Sequence, residues 1–190
     1  MNFRHTSLSG AYVIEPVLRG DERGFFARSW CQREFEEHGL IARLVQCSIS
    51  FNTRKGTLRG MHYQRPPSEE AKLVRCTRGS LYDVIIDLRS ESSTFMQHLG
   101  MVLSADNHLA LYVPEGFAHG FQTLEDNTEV FYQMSEFYAP QNAAGVRWND
   151  PAFAIEWPGS APILHERDAG YPDYLPNSRH DQRSAYRIDS

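Results

Sequence analysis

The chain has 190 residues and a formal net charge of -5, with 19 Lys and Arg against 24 Asp and Glu. This length suits one ordinary domain with a sizeable core, and the negative balance without a run of Lys or Arg argues against nucleic acid as a partner. The longest apolar runs, such as residues 84–86, are far shorter than a membrane span, and the polar N-terminus lacks a secretion signal. We therefore expect a cytoplasmic protein without membrane contact.

Short segments in which apolar and polar residues alternate recur between turn signals, a pattern typical of an antiparallel sandwich or barrel. The predicted strands are residues 11–16, 44–51, 58–64, 72–77, 80–89, 98–103, 108–113, 119–123 and 129–138. Two short helical pieces are predicted, at residues 31–38, where Gly39 suits a C-terminal cap, and near residues 104–106. The sequence predicts one all-β domain over residues 1–170 and a tail, 171–190, that is partly disordered or packed on the surface.

Two histidines lie in strand segments with unusual polar residues, His62 in LRGMHYQ and His119 in PEGFAHGF. Their spacing resembles the two sequence motifs of cupins, which implies a cupin-type double-stranded β-helix, or jelly-roll barrel, with a few short helices. Metal-binding cupins carry a second histidine where this chain has Gln64, and Lys72 adds a charge that opposes a divalent cation. We expect no metal. A lone strand histidine is more often a hydrogen-bonded core residue than a site residue, so these two alone do not establish a site.

Six ordered motifs make the resemblance more specific. GDERGFF, LRGMHYQ, KLVR, PEGFAHGF, YAP and RWNDP together resemble the dTDP-4-dehydrorhamnose 3,5-epimerase family, from about residue 8 to about residue 170. The resemblance implies a homodimer that inverts carbons beside the ketone of a nucleotide-linked 4-keto-6-deoxyhexose, with no metal or nicotinamide cofactor. Residues 11–16, if they form an edge strand, could pair across such a dimer.

The resemblance also implies roles for individual residues. His62 is the general base, Asp168 orients it, Tyr132 is the general acid on the opposite face of the sugar, and Lys72 lies near the ketone. The implied substrate-binding residues are Arg23, Phe26, Gln46, Arg59, His119 and Tyr138. Among these, the family pattern places Arg23 and Arg59 at the diphosphate and His119 near the ketone.

These residue types suit enolisation. Carbons 3 and 5 are both α to the carbonyl, so removal of either proton places negative charge on the carbonyl oxygen. A fixed ammonium such as Lys72 can stabilise that charge, and single oxyanion donors are worth ~2.7–4 kcal/mol in other enzymes. A neutral imidazole suits proton abstraction near neutral pH, and a carboxylate on its other nitrogen fixes the tautomer. Tyr132 would then return a proton from the other face.

Strict alternation would point Arg59 and His62 to opposite faces of one strand. Gly60 lies between them and can carry a β-bulge that re-aims one side chain. We therefore predict an irregularity at Gly60.

The sequence departs from the family pattern at the end that reads the base. Ser48 replaces an asparagine that follows Gln46 by two positions, and Arg28 replaces a glutamate. A CDP- or GDP-linked sugar therefore stays open beside a dTDP-linked one. A keto isomerase on the same scaffold and a sugar-nucleotide binding protein without catalysis are the further alternatives, and the acid and base residues argue against the second.

Overall fold

The fold consists of antiparallel strands in two large sheets, shown by a computed structural model that describes residues 1–176. The elements are β1 (Asn2–His5), β2 (Tyr12–Glu15), β3 (Arg19–Asp21), β4 (Gly24–Phe26), α1 (Gln32–Glu37), β5 (Gln46–Asn52), β6 (Leu58–Gln64), β7 (Lys72–Arg78), β8 (Ser80–Asp87), β9 (His98–Ser104), β10 (Ala110–Val113), β11 (Phe117–Thr123), β12 (Thr128–Met134), β13 (Ala143–Gly145) and α2 (Glu166–Ala169). Every strand predicted from alternation is present. The short strands β1, β3, β4 and β13 and helix α2 have no comparable sequence signal.

Two sheets and one hairpin make up the topology. The first sheet has the order β1-β2-β10-β7-β12-β5, the second has the order β13-β6-β11-β8-β9, and β3 pairs only with β4. Two antiparallel sheets arranged in this way form the jelly roll expected of a cupin. The expectation that residues 11–16 form an edge strand is wrong, because β2 lies between β1 and β10. The first sheet instead ends at β1 and β5.

Alternation along the strands divides the apolar residues between an inner core and two outer clusters. The inner core includes Val74 and Leu111 from the first sheet and Ile85 and Phe121 from the second. A second cluster packs α1, through Phe35, against the outer face of the first sheet. A third cluster covers the outer face of the second sheet, which explains why β8 is apolar on both faces.

The interior changes from apolar to polar along the strands. On β7, Val74 lies in the core, and Lys72, two positions away, lines the cavity. On β12, Val130 lies in the core, and Tyr132, two positions away, lines the same cavity. The same inward positions therefore supply a packed core at one end and ionisable side chains at the other. Among residues 1–176, no helix is long and apolar enough to cross a membrane.

The predicted irregularity at Gly60 is confirmed. Gly60 has φ of +132°, and the pairing of β6 with β11 shifts register between His119 and Phe121. Arg59 and His62 consequently line the same cavity. The two backbones are very close here, because a Cβ at Gly60 would lie 2.5 Å from Cα of Gly120. Only glycine fits this position without a shift of the neighbouring strand.

The first residues of the predicted tail pack against the body of the protein. Arg147 forms an ion pair with Asp173, and the ring of Tyr174 contacts Phe153 at a centroid distance of 5.5 Å. The rest of the predicted tail, residues 177–190, lies outside the described residues.

We predict that Gly60→Ala lowers the free energy of unfolding by roughly 2–5 kcal/mol, because it combines left-handed backbone strain with a steric clash. Gly24→Ala is the matched control, since Gly24 has φ of +126° but a Cβ at this position would meet no atom within 4 Å beyond its chain neighbours. In Gly24→Ala the free energy of unfolding should fall by about 1–3 kcal/mol, the cost of backbone strain without the steric clash. Urea unfolding of both variants measures the difference, and equal losses would contradict the steric argument.

Candidate active site

The polar end of the barrel encloses a cavity of about 640 Å³ between the two sheets. This volume is in the range of pockets that hold small-molecule ligands. Most residues predicted for the site line it: Gln46, Arg59, His62, Lys72, His119, Tyr132 and Tyr138. Asp168 lies behind His62, while Arg23 and Phe26 lie elsewhere.

His62 is held by a carboxylate from the far end of the chain. Its Nε2 lies 2.8 Å from Oδ1 of Asp168, which is buried at 3% exposure. The other oxygen, Oδ2, accepts the Gly60 N–H at 3.2 Å, and Arg167 Nε donates to Oδ1 at 3.3 Å. An Nε2–H that donates to Asp168 leaves Nδ1 as the nitrogen that can accept a proton. The geometry therefore suits a general base.

The environment keeps Asp168 ionised. Burial alone would raise the pKa of Asp168, but the hydrogen bond and charge of His62, the Gly60 N–H and Arg167 outweigh it and hold that pKa below its ordinary value. Helix α2 presents the carboxylate, and its first turn is capped by His165, whose Nδ1 accepts the Arg167 N–H at 3.1 Å. An ionised carboxylate in this position stabilises the imidazolium that forms when His62 takes a proton.

Tyr132 lies deep in the cavity wall from β12. Its ring is 6.1 Å from the ring of His119 between centroids. Burial, reinforced by the charge of Asp83 and only partly opposed by Arg59 and a hydrogen bond with Ser50, raises the pKa of Tyr132 well above its ordinary value. The phenol therefore stays protonated and can act as an acid.

Lys72 reaches the cavity already paired with a carboxylate. Its Nζ lies 2.9 Å from Oε1 of Glu70, and the two side chains are 10% and 11% exposed. The sequence motifs point to Lys72 but give no role to Glu70. The carboxylate of Glu70 compensates the ammonium charge in the absence of a ligand, which offsets the cost of holding Lys72 in a largely buried position.

A second histidine–carboxylate pair lies beside the first on the same sheet, because His119 is the cross-strand partner of His62 in the pairing of β11 with β6. Nε2 of His119 is 2.8 Å from Oδ1 of Asp83, and both side chains are buried. Oδ2 of Asp83 has no hydrogen-bond partner among the described residues. Asp83 was not predicted from the sequence, although a carboxylate in the apolar strand SLYDVIID is a signal that could have revealed it.

Gln64 serves the surrounding loops. Its Nε2 donates to the Ser68 and Phe137 carbonyls at 2.8 and 3.2 Å, and its Oε1 accepts the Ala139 N–H at 2.6 Å. Gln64, at the position of the second cupin histidine, therefore connects the loop that contains Ser68 with the loop that contains Phe137 and Ala139. Within residues 1–176, no three His, Cys, Asp or Glu side chains come together in a way that could hold a metal ion.

Two exposed residues that line the cavity take part in hydrogen bonds with uncharged partners. Arg59 Nε donates to Oδ1 of Asn52 at 2.8 Å, and Oε1 of Gln46 accepts the Tyr138 N–H at 3.0 Å. These contacts leave the remaining guanidinium N–H groups of Arg59 able to bind an anion.

Arg23 and Phe26 do not reach the cavity of their own chain. Both lie on the β3–β4 hairpin, where Arg23 pairs with Asp21 and has an 83% exposed side chain. Phe26 is 73% exposed. Within one chain, the structure therefore does not bring these two predicted residues together with the others.

Arg167 and Tyr171 are among the cavity residues that were not predicted from the sequence. Arg167 lines the cavity with its Nη2 3.4 Å from Nε2 of His62. Tyr171, from the segment predicted to be a tail, also lines it and contacts the His62 ring edge-on at a centroid distance of 6.2 Å. A tyrosine in a segment rich in Pro, Asp and Asn gives no signal of this position.

The fold and the site together define a class of protein. A cupin-type barrel that presents a carboxylate-bound histidine, a protonated phenol and a lysine to one cavity has the groups of an acid–base enzyme for a small polar substrate. The family model described as dTDP-4-dehydrorhamnose 3,5-epimerase matches residues 5–175. The chain belongs to this family.

Individual relatives agree with the family model. The dTDP-4-dehydrorhamnose 3,5-epimerase of Salmonella typhimurium is 45% identical over 171 residues, which covers 88% of this chain and 92% of the relative. The crystal structure of the Bacillus anthracis enzyme with TDP and PPi bound has a TM-score of 0.88 and 43% identity, covering 91% of this chain and 99% of that one. A 3'-monoepimerase from Streptomyces bikiniensis in complex with dTDP-quinovose has a TM-score of 0.83 and 31% identity, with coverages of 90% and 86%.

We predict that the alkaline side of the pH–rate profile has no limb attributable to Tyr132 up to about pH 9.5, since burial raises its pKa above the usual value of about 10. Tyr132→Phe should lower kcat by roughly 10²–10⁴-fold, as expected when a general acid is removed. Steady-state rates at a series of pH values test both points. A fall in rate above pH 8 that disappears in the Phe variant would contradict the assignment.

Proposed function

We propose that this protein is an epimerase that inverts carbon 3, carbon 5 or both in a nucleotide-linked 4-keto-6-deoxyhexose. The observation that supports this most directly is the convergence of the His62–Asp168 pair, Tyr132 and Lys72 on one cavity. Membership of the epimerase family supports the same reaction. Because relatives include both a 3,5-epimerase and a 3'-monoepimerase, the number of inverted carbons is open.

The first step is proton abstraction by Nδ1 of His62 from the carbon next to the ketone. The C–H bond breaks, its electron pair forms the enolate double bond, and the carbonyl electrons move to oxygen. Lys72 donates to that oxygen, with His119 beside it, and the charge is stabilised in a poorly screened cavity. Asp168 stabilises the imidazolium.

The second step delivers a proton to the opposite face of the same carbon. Tyr132 donates its phenolic proton, the carbonyl re-forms, and the configuration is inverted. His62 is then protonated and Tyr132 deprotonated, so both must exchange protons with solvent before the next cycle. The proton gained by the sugar therefore derives from water.

The diphosphate end of the substrate is assigned to arginines. Arg59 lines the cavity, but Arg23 lies outside it, so we propose that Arg23 and Phe26 act in the cavity of a second copy of the chain. Two observations support such a homodimer: the exposed aromatic pair on the hairpin, with Phe25 at 53%, and exposed Ile49 on the edge strand β5, at 64%. Apolar residues exposed in this density are typical of interfaces.

The carrier nucleotide is proposed to be dTDP, as in the relatives. Ser48 lines the cavity, whereas Arg28 pairs with Glu34 at 3.0 Å and is not among the cavity residues. The substitution at Ser48 therefore bears on base recognition within one chain, whereas Arg28, two positions after Phe26, could meet the base only in the cavity of the second copy. CDP and GDP stay as alternatives. The cytoplasmic location also stays a prediction.

Solvent-deuterium exchange into dTDP-4-keto-6-deoxyglucose tests the activity. We expect label at carbon 3, carbon 5 or both with the wild-type protein, and a fall of about 10²–10⁴-fold in exchange with His62→Ala because the base is lost. Binding of dTDP, CDP, GDP and UDP, measured by calorimetry, should be almost unchanged in the variant. His5→Ala, on the exposed strand β1, is the control. A shifted carbonyl would indicate an isomerase, and exchange at the wild-type rate in His62→Ala would refute the base assignment.

Mixed dimers test the placement of Arg23. Arg23→Ala and His62→Ala should each be nearly inactive, but after subunit exchange one site in each mixed dimer contains both residues. Random mixing should then restore about a quarter of wild-type activity, because half of the dimers are mixed and each has one intact site. No recovery, with exchange verified by native mass spectrometry, would show that Arg23 does not act across the interface.

A further inference from the structure

Tyr171 is a cavity residue that neither the sequence motifs nor the proposed mechanism uses. It follows α2 by two positions, and its ring is half-buried against β13. A Cβ at Gly145 would overlap both Cζ and Cε2 of the Tyr171 ring. The ring therefore occupies the space that a side chain at Gly145 would otherwise fill.

That space is next to the proposed base. Gly145 is the cross-strand partner of His62 in the pairing of β13 with β6. The Tyr171 ring contacts the imidazole edge-on, at an interplanar angle of 69°. His62 is thus fixed from two directions, by the Asp168 carboxylate at Nε2 and by an aromatic ring beside it.

The backbone around Tyr171 is fastened on both sides. Before it, the Gly170 N–H donates to the Glu166 carbonyl at 2.9 Å, and Asp168 is buried. After it, Asp173 pairs with Arg147, and the Tyr174 N–H donates to Asp150. A ring held in this way is a preformed wall, since little conformational entropy remains to be lost when a ligand packs against it.

The neighbours of the ring belong to the substrate cavity. Burial raises the pKa of the Tyr171 phenol, Arg167 opposes that shift, and Asp168, Tyr138 and Tyr63 add to it. Arg167, Tyr138 and Tyr63 all line the cavity. Tyr171 therefore borders the part of the cavity where the base must meet the sugar.

We propose that Tyr171 is a positioning residue for the epimerisation: its ring, seated on Gly145, holds the His62 imidazole and forms the wall that decides which sugar carbon can reach the base. Carbons 3 and 5 lie on either side of the ketone, so one base reaches both only if the sugar is held within narrow limits. Small displacements of a reacting group have large effects on rate. This inference rests on the proposed epimerase activity.

Four variants test the proposal: Tyr171→Phe, Tyr171→Ala, Gly145→Ala and the double variant with both alanines. The readouts are the rates of deuterium incorporation at carbon 3 and carbon 5 of dTDP-4-keto-6-deoxyglucose, and the dissociation constant of dTDP. Thermal melting checks folding. If Tyr171→Ala does not fold, Tyr171→Leu and Gly145→Ala provide the same comparison.

We expect Tyr171→Ala to lower the total exchange rate by about tenfold or more and to change the ratio of label at the two carbons by about threefold or more. Tyr171→Phe should match the wild type, because the ring is retained. Gly145→Ala should resemble Tyr171→Ala, since its Cβ displaces the ring, and the double variant should be no worse than Tyr171→Ala. Binding of dTDP should be unchanged.

Three results would overturn the proposal: an unchanged rate and ratio in Tyr171→Ala, an equal loss at both carbons, or a loss in Tyr171→Phe as large as in Tyr171→Ala. The wild-type protein separates this inference from the activity on which it rests. If the wild type incorporates no label, the proposed function fails; if it does and the variants behave as wild type, only the role of Tyr171 fails.

Discussion

The hydrogen bond from the Gly60 N–H to Asp168, at 3.2 Å, joins the barrel to the C-terminal segment across 108 positions of sequence. The left-handed backbone of Gly60 has two effects at once. It brings Arg59 and His62 to the same cavity, and it points a donor at the carboxylate that holds His62. The geometry around His62 therefore depends on a residue without a side chain, and the close crossing with Gly120 makes any larger residue there costly.

Three ionisable side chains of the cavity are paired in the same way. His62, Lys72 and His119 each have a carboxylate partner, namely Asp168, Glu70 and Asp83. Pairing offsets the cost of holding ionisable groups in a poorly solvated interior. The three carboxylates differ in what they hold: Asp168 holds the proposed base, Glu70 balances an ammonium and Asp83 holds the His119 ring. Burial, together with the charge of Asp83, raises the pKa of Tyr132. Only Asp168 among these partners was predicted from the sequence, through the family resemblance.

Alternation was sufficient to predict nine strands, because side-chain direction in a strand repeats every two residues and both sheets have a buried face. It did not reveal β1, β3, β4 and β13 or the order of the strands in the sheets. The resemblance to the epimerase family, and not alternation, assigned His62, Lys72, His119 and Tyr132 to one site, and all four line the cavity. It could not locate α2 or Tyr171, whose positions come from contacts with distant strands and not from any local period. It also could not place Arg23, since a residue can belong to a site by motif and still lie outside the cavity of its own chain.

The hydrogen bonds of Gln64 bear on how one barrel serves different chemistries. In metal-binding cupins a histidine occupies this position, and here the amide instead secures the loop carbonyls of Ser68 and Phe137 together with the Ala139 N–H. A neutral imidazole has one donor and one acceptor and could not make all three bonds. Replacing Gln64 with a histidine ligand would therefore break hydrogen bonds that hold two loops. Conversion between metal-dependent and acid–base versions of this barrel thus requires changes in the loops as well as in the metal ligands.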